Sequence, residues 1–303
     1  MPLLSSVSPS PSTTPVPWNP GNAIAALDAA DWTFQSTYGD EFTTVYGSSG
    51  GTGLDPAVWS NGWFPSTQWG ASEAPHGGDG YVWCDPAQVL VTSSPGANAS
   101  SSYGAITGFT GASCLQLTVA TKTGSGSLAS YTTATGFCVS NPGSNLSGGW
   151  AGLQITPPFY VETRVWLMPS SSSIPNYPTV WLGSQNDPTT GELDIFEPLG
   201  TNGAPVGHSH YSGDPNHPTN ALSGAAGVWT VIGVIYSTSA EQCTWYGSVS
   251  GGEMLNFSGS VNGTGGTTGP YYWILNNGYP AGGDGNVIPG IMLVDYVRCF
   301  TAS

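Results

Sequence analysis

Apolar residues fall in short runs, at residues 81–83, 115–118, 159–167, 229–236, 271–275 and 291–300. Clusters of Gly, Pro, Asn and Ser separate them. Runs of this length between turn formers predict β-strands. No helical period is sustained; the one helix candidate is residues 23–30, beside a proline-rich start. One further run has a different composition: Glu192-Leu193-Asp194-Ile195-Phe196-Glu197. Its apolar members are strand formers, and Thr189-Thr190-Gly191 and Pro198-Leu199-Gly200 bound it. Side chains alternate along a strand, so Glu192 and Asp194 share a face. Glu197 would point the other way. One extra residue at Ile195-Phe196, a β-bulge, returns it to the face of the other two.

Composition sharpens that motif. With 7 Glu and 11 Asp in 303 residues, the pattern E-x-D-x-x-E arises by chance roughly 0.006 times in such a chain. Three acids on one face, backed by apolar residues, suit a glycosidase site; the competing reading is a solvated edge strand. Charged residues are only 7%, but 39% are apolar, with 12 Trp and 14 Tyr, enough for a large core. The predicted fold is an all-β sandwich of two antiparallel sheets.

The net charge of −15 is opposed only by Lys122, Arg164 and Arg298. Nucleic acid is excluded as a partner, because phosphate contacts need a basic surface. Sulfated or uronic polysaccharides would be repelled. A neutral polysaccharide is the expected partner. Arg164 and Arg298 lie in strand-like runs and are expected to be paired with acids. No apolar run reaches the length needed to cross a membrane. Cys84, Cys114, Cys138, Cys243 and Cys299 have no zinc-site spacing and read as buried thiols, with disulfides left open. The sequons at Asn98, Asn145, Asn256 and Asn262 are read as accidents of a Ser/Thr-rich chain.

Residues 1–30 read as a Pro/Ser-rich arm and residues 31–303 as the folded domain. Residues 5–22 hold five prolines and no charge, so they cannot form a core and suit docking on a protein partner or a virion neighbour. Met1-Pro2-Leu3-Leu4-Ser5 lacks the basic and apolar regions of a signal peptide. An extracellular location, secreted or virion-associated, is nonetheless expected from the polymeric substrate.

Several separated segments resemble the family 16 glycoside hydrolases, the laminarinase and lichenase group. Gly39-Asp40-Glu41-Phe42, Leu54-Asp55 and Trp59 match its opening D-E-F…L-D…W. Tyr160-Val161-Glu162-Thr163-Arg164-Val165 is similar to its G-x-x-E-x-R-x strand. Tyr177-Pro178-Thr179-Val180-Trp181-Leu182-Gly183 is similar to W-P-A-x-W-x-L, with Tyr177 where Trp is usual. Leu275-Asn276-Asn277-Gly278 and Met292-Leu293-Val294-Asp295-Tyr296-Val297-Arg298 match the closing segments. The order is the family's, over roughly residues 32–300.

The resemblance implies a concanavalin A-like jelly roll and retaining endo-hydrolysis of a β-1,3- or mixed β-1,3/1,4-glucan. It implies Glu192 as nucleophile, Glu197 as general acid/base and Asp194 as the carboxyl between them. The three charges should raise one another's pKa. Trp181, Tyr177 and Trp150 are candidate sugar-binding aromatics, with Trp63 and Trp69 behind them; His210 and Asn276 are candidate polar contacts. A zinc site at His208 and His210 lacks a third ligand nearby. No cofactor or catalytic metal is expected, and a structural calcium ion stays open. Two other classes share the sandwich: a glycan-binding module without turnover, and a structural virion or surface subunit. The acidic triad favours the enzyme; the arm favours the virion reading.

Overall fold

The computed structural model describes residues 32–46, 52–55, 58–61, 83–84, 86–96, 106–121, 133–140, 154–155, 157–170, 173–184, 191–211, 214–216, 220–237, 242–257, 261–262, 271–278 and 289–302. The arm, the helix predicted at 23–30, Trp63, Trp69, Trp150 and Lys122 lie outside the described residues.

The described strands form two sheets, the jelly-roll sandwich that the strand pattern predicts. The larger runs in the order Leu255–Asn256, Gln242–Val249, Trp229–Ser237, Phe159–Leu167, Gly290–Ala302, Cys114–Thr121, Thr133–Thr135, Trp83–Cys84. Trp32–Phe34, Val89–Thr92 and Val261–Asn262 add to it. The smaller runs Asp214–Asn216, Val206–Tyr211, Gly191–Glu197, Tyr177–Ser184, Tyr271–Gly278, Phe137–Val139, Ser60–Asn61, with Gln154–Ile155 on the Tyr271–Gly278 strand. Pairing is antiparallel apart from the short Trp83–Cys84 and Thr133–Thr135 pair, which is parallel. No helix among the described residues is long and apolar enough to cross a membrane.

Inward side chains of the two sheets meet in one buried cluster. It includes Val161, Val165 and Leu167 from the larger sheet and Val180, Leu182, Leu193, Trp273 and Leu275 from the smaller. Full burial of one such aliphatic side chain stabilises the fold by about 1.5–3 kcal/mol. The Phe159–Leu167 strand is covered on both faces, which is why its sequence lacks simple alternation. On its outer face Tyr160 packs with Tyr246, Met254 and Phe300. Further along, Trp166 packs with Trp229, Ile291 and Leu293.

Charges lie between these two outer clusters, and they are paired as expected. Arg298 donates from Nε and Nη2 to the two oxygens of Glu41, each at 2.7 Å. Its third nitrogen lies 3.8 Å from Glu162, and its guanidinium stacks on the Tyr296 ring. Arg164 meets Asp295 at 2.5 Å. Asp295 occupies a register shift between Val294 and Tyr296, a second bulge that aims an acid.

Residues 39–42 and the Gly290–Ala302 strand are tied together beside this pair. Asp40 and Val297 exchange backbone hydrogen bonds of 2.8 and 2.9 Å. The Asp40 carboxylate accepts from Trp59 Nε1 and from the Phe42 amide, both at 2.7 Å. A Cβ on Gly39 would stand 2.5 Å from the Val297 carbonyl oxygen, so glycine is required there. Cys114, Cys138, Cys243 and Cys299 are buried free thiols.

Burial pushes the Glu162 carboxyl up to about 7, against the opposing pull of Arg298 and of hydrogen bonds from Tyr160 and Tyr296. The folded state therefore holds a proton that the unfolded chain releases near pH 4.5. The resulting stability is full below pH 4.5 and is lost as the pH rises through about 7. Thermal melts should show the midpoint falling across that window, with Glu162→Gln flattening the fall. A wild-type melting temperature that rises from pH 4.5 to 7 would contradict the assignment.

Candidate active site

The Gly191–Glu197 strand lies between Tyr177–Ser184 and Val206–Tyr211. Leu193, Ile195 and Phe196 all belong to the inter-sheet core. Adjacent residues cannot both face inward on a regular strand. The register explains it. Asp194 pairs with His208 and Glu197 with Val206, so Ile195 and Phe196 together oppose the single residue Gly207. The other neighbour shows the same insertion, with Val180 opposite Phe196 and Trp181 opposite Asp194. This is the bulge that the face-parity argument requires. It sends both apolar residues into the core and returns Glu197 to the face of Glu192 and Asp194.

The bulge is held from beneath by the other sheet. Trp245, on Gln242–Val249, is fully buried and donates from Nε1 to the Asp194 carbonyl at 2.9 Å. The indole packs so closely on Gly207 that any Cβ there would collide with it. Glycine opposite the bulge and tryptophan below it thus form one device, joining residues 38 positions apart in sequence.

On the opposite face the strand's acids are tied into a hydrogen-bonded set. Glu197 Oε1 accepts from the Tyr177 hydroxyl at 2.8 Å. Glu197 Oε2 shares a hydrogen bond of 2.7 Å with His208 Nδ1. That same nitrogen lies 3.8 Å from Asp194 Oδ2. Asp194 is fully buried, Glu197 is 8% exposed, and Glu192 is half-buried. Burial raises the Asp194 carboxyl well above its ordinary value, and the charges of Glu197 and Glu192, with hydrogen bonds to both, raise it further. Asp194 is therefore held toward its protonated form. Burial, then the Glu197 charge, also raises the Tyr177 phenol, which stays protonated and donates.

The other expected residues fall on this face or close to it. Trp181 pairs with Asp194 in register and is 8% exposed. Its indole donates to Asn276 Oδ1 at 2.9 Å, and Asn276 Nδ2 reaches the Tyr177 carbonyl at 3.4 Å. Trp181 in this arrangement fixes Asn276. Tyr177 likewise spends its hydroxyl on Glu197. His210 lies opposite Glu192 in register, and its side chain is outside the described residues. The histidine on the acids is His208, which stands opposite Asp194. Strand parity puts His208 and His210 on one face, so the sequence alone offered no basis for choosing between them.

Asp194, Glu197 and His208 form the one group of potential metal ligands among the described residues, with donor atoms within 4.8 Å. Two ligands on a tetrahedral zinc stand about 3.3 Å apart, given metal–ligand bonds near 2.0 Å. The 2.7 Å contact between Glu197 and His208 is shorter than that, and is a hydrogen bond. In this arrangement the three groups are set for proton sharing.

No model of a known protein family matches the sequence, and no curated protein is similar to it. Solved structures are similar to the fold. The catalytic domain of an endo-1,3-beta-glucanase (laminarinase) from Thermotoga petrophila RKU-1 superposes with a TM-score of 0.58 at 17% identity, over 89% of this chain and 99% of that one. The endo-beta-1,3-glucanase from Pyrococcus furiosus gives a TM-score of 0.56 at 16% identity, over 90% and 95%. SCLam, a non-specific endo-beta-1,3(4)-glucanase from family GH16, gives 0.59 at 15% identity, over 90% and 92%. The chain has the laminarinase fold. At this identity the fold is what is shared, and chemistry has to be argued from the side chains.

The support beneath this acidic face is testable. Trp245→Phe keeps the ring in the core and removes the donor to the Asp194 carbonyl. Urea denaturation should show a loss of about 1–3 kcal/mol, the cost of an unsatisfied buried acceptor, at unchanged m-value. A loss within error of zero would mean that the bulge does not depend on this bond.

Proposed function

We propose that this chain is an extracellular endo-acting glycoside hydrolase that cleaves a neutral β-glucan, β-1,3 or mixed β-1,3/1,4, with retention of configuration. The observation that carries the reading is the bulged strand, which places three carboxyl side chains on one sheet face with Glu197 held from both sides. The fold it shares with endo-1,3-beta-glucanases supports the same reading.

In the first step Glu197 gives its proton to the departing glycosidic oxygen while the Glu192 carboxylate attacks the anomeric carbon. The C–O bond breaks and a glycosyl–Glu192 ester forms. In the second step the Glu197 carboxylate takes a proton from water, the water oxygen attacks the same carbon, and Glu192 leaves. Protonated Asp194 between them removes one of three like charges and can donate to Glu192 before attack and to Glu197 after proton transfer. The substrate is neutral because the site strands carry acids and no Lys or Arg. Both described arginines are engaged elsewhere, Arg164 with Asp295 and Arg298 with Glu41.

The test is release of reducing ends from β-1,3-glucan and mixed-linkage glucan, with carboxymethylated glucan as an anionic control. Wild type should cleave a neutral polymer. Glu192→Gln should lower kcat by about 10⁴-fold or more, in the range typical of losing a catalytic nucleophile, with glucan binding retained. Glu197→Gln should do the same for natural linkages and recover partly with azide. Wild type that binds glucans and cleaves none would favour the binding-module reading.

A further inference from the structure

Both oxygens of Glu197 are claimed, one from each neighbouring strand, and the claim on Oε1 comes from a residue at odds with the family pattern. That pattern has Trp where this chain has Tyr177. The Tyr177 hydroxyl donates to Oε1 at 2.8 Å. Its backbone is fixed in turn, since Asn276 Nδ2 bonds the Tyr177 carbonyl while Trp181 holds Asn276 Oδ1. The titratable groups around Glu197 are Asp194 and Glu192 on its own strand, His208 on Val206–Tyr211 and Tyr177 on Tyr177–Ser184. Glu192 crowds it with like charge, and Asp194, fully buried, is hydrogen-bonded to it. Tyr177 acts in the opposite sense, because a neutral donor bonded to a carboxylate favours the ionised form.

We propose that Tyr177 is a positioning residue that fixes the orientation of Glu197 and sets the acidity at which it gives up its proton. Its hydroxyl offsets the burial of Glu197 and its crowding by Glu192, so that Glu197 can alternate between acid and base within one cycle. Without that donor, a buried carboxyl beside Glu192 would hold its proton more tightly against release to a leaving oxygen. The consequence for activity rests on the reading of Glu197 as acid/base; the hydrogen bond itself does not.

The experiment is a ¹³C titration of the side-chain carboxyls, with the Glu197 signal assigned by its absence in Glu197→Gln. In Tyr177→Phe that signal should titrate about one pH unit higher than in wild type, the size expected for one lost donor. On the glucan that wild type cleaves, the alkaline limb of kcat/KM should move up by the same amount. A group that only filled space would leave both profiles unmoved. 3-Fluorotyrosine at position 177, a stronger donor of nearly the same shape, should move the signal down, and covers the case in which Tyr177→Phe fails to fold. A Glu197 midpoint equal in wild type and both variants overturns the proposal. A shifted midpoint in a protein that cleaves no glucan upholds the role of Tyr177 and rejects the hydrolase reading instead.

Discussion

One inserted residue in one strand decides what this sheet face can do. Without it, Phe196 would turn out of the core and Glu197 into it. A bulky aromatic would be lost from the packing, and a carboxyl would be buried among Leu, Ile and Trp without partners. Both costs point the same way, so the core enforces the bulge and the bulge places the acid. Gly207 and Trp245 complete the arrangement from the opposing strand and the opposing sheet. The site is thus supported through the thickness of the sandwich.

The electrostatics follow from that geometry. Crowding on one face disfavours ionising all three carboxyls, and Asp194, the most buried, is pushed toward its neutral form. Tyr177 and His208 then stand on either side of Glu197. The larger sheet meets a related problem. There Glu162 is buried beside Arg298, and the arginine's bidentate bond goes to Glu41, so Glu162 also holds a proton near neutrality. A chain with three basic residues has few cations with which to neutralise buried acids. In these two places it uses protons.

Much of this was legible in the sequence. Strand runs between turn formers predicted two antiparallel sheets, and parity along residues 192–197 required the bulge. The scarcity of cations predicted that Arg164 and Arg298 would be paired. Other features could not be read, because they join distant parts of the chain. Nothing local marks Trp245 as the donor to Asp194, or Gly207 as the space it needs. His208 and His210 share a strand face, so only the register across to Asp194 places His208 on the acids. Tyr177 read as a candidate sugar-binding aromatic, since a hydroxyl's partner depends on a strand not yet placed.

On the reading proposed above, Glu192 and Glu197 divide nucleophile and acid/base between them on the bulged strand. Mass spectrometry of the protein trapped with a 2-deoxy-2-fluoro β-glucoside bearing an activated leaving group tests it most directly. The account predicts one added sugar per chain, on the peptide containing residues 191–197 and localised to Glu192. A label on Asp194 or Glu197, or cleavage of the reagent to an inverted product with no label, would contradict it.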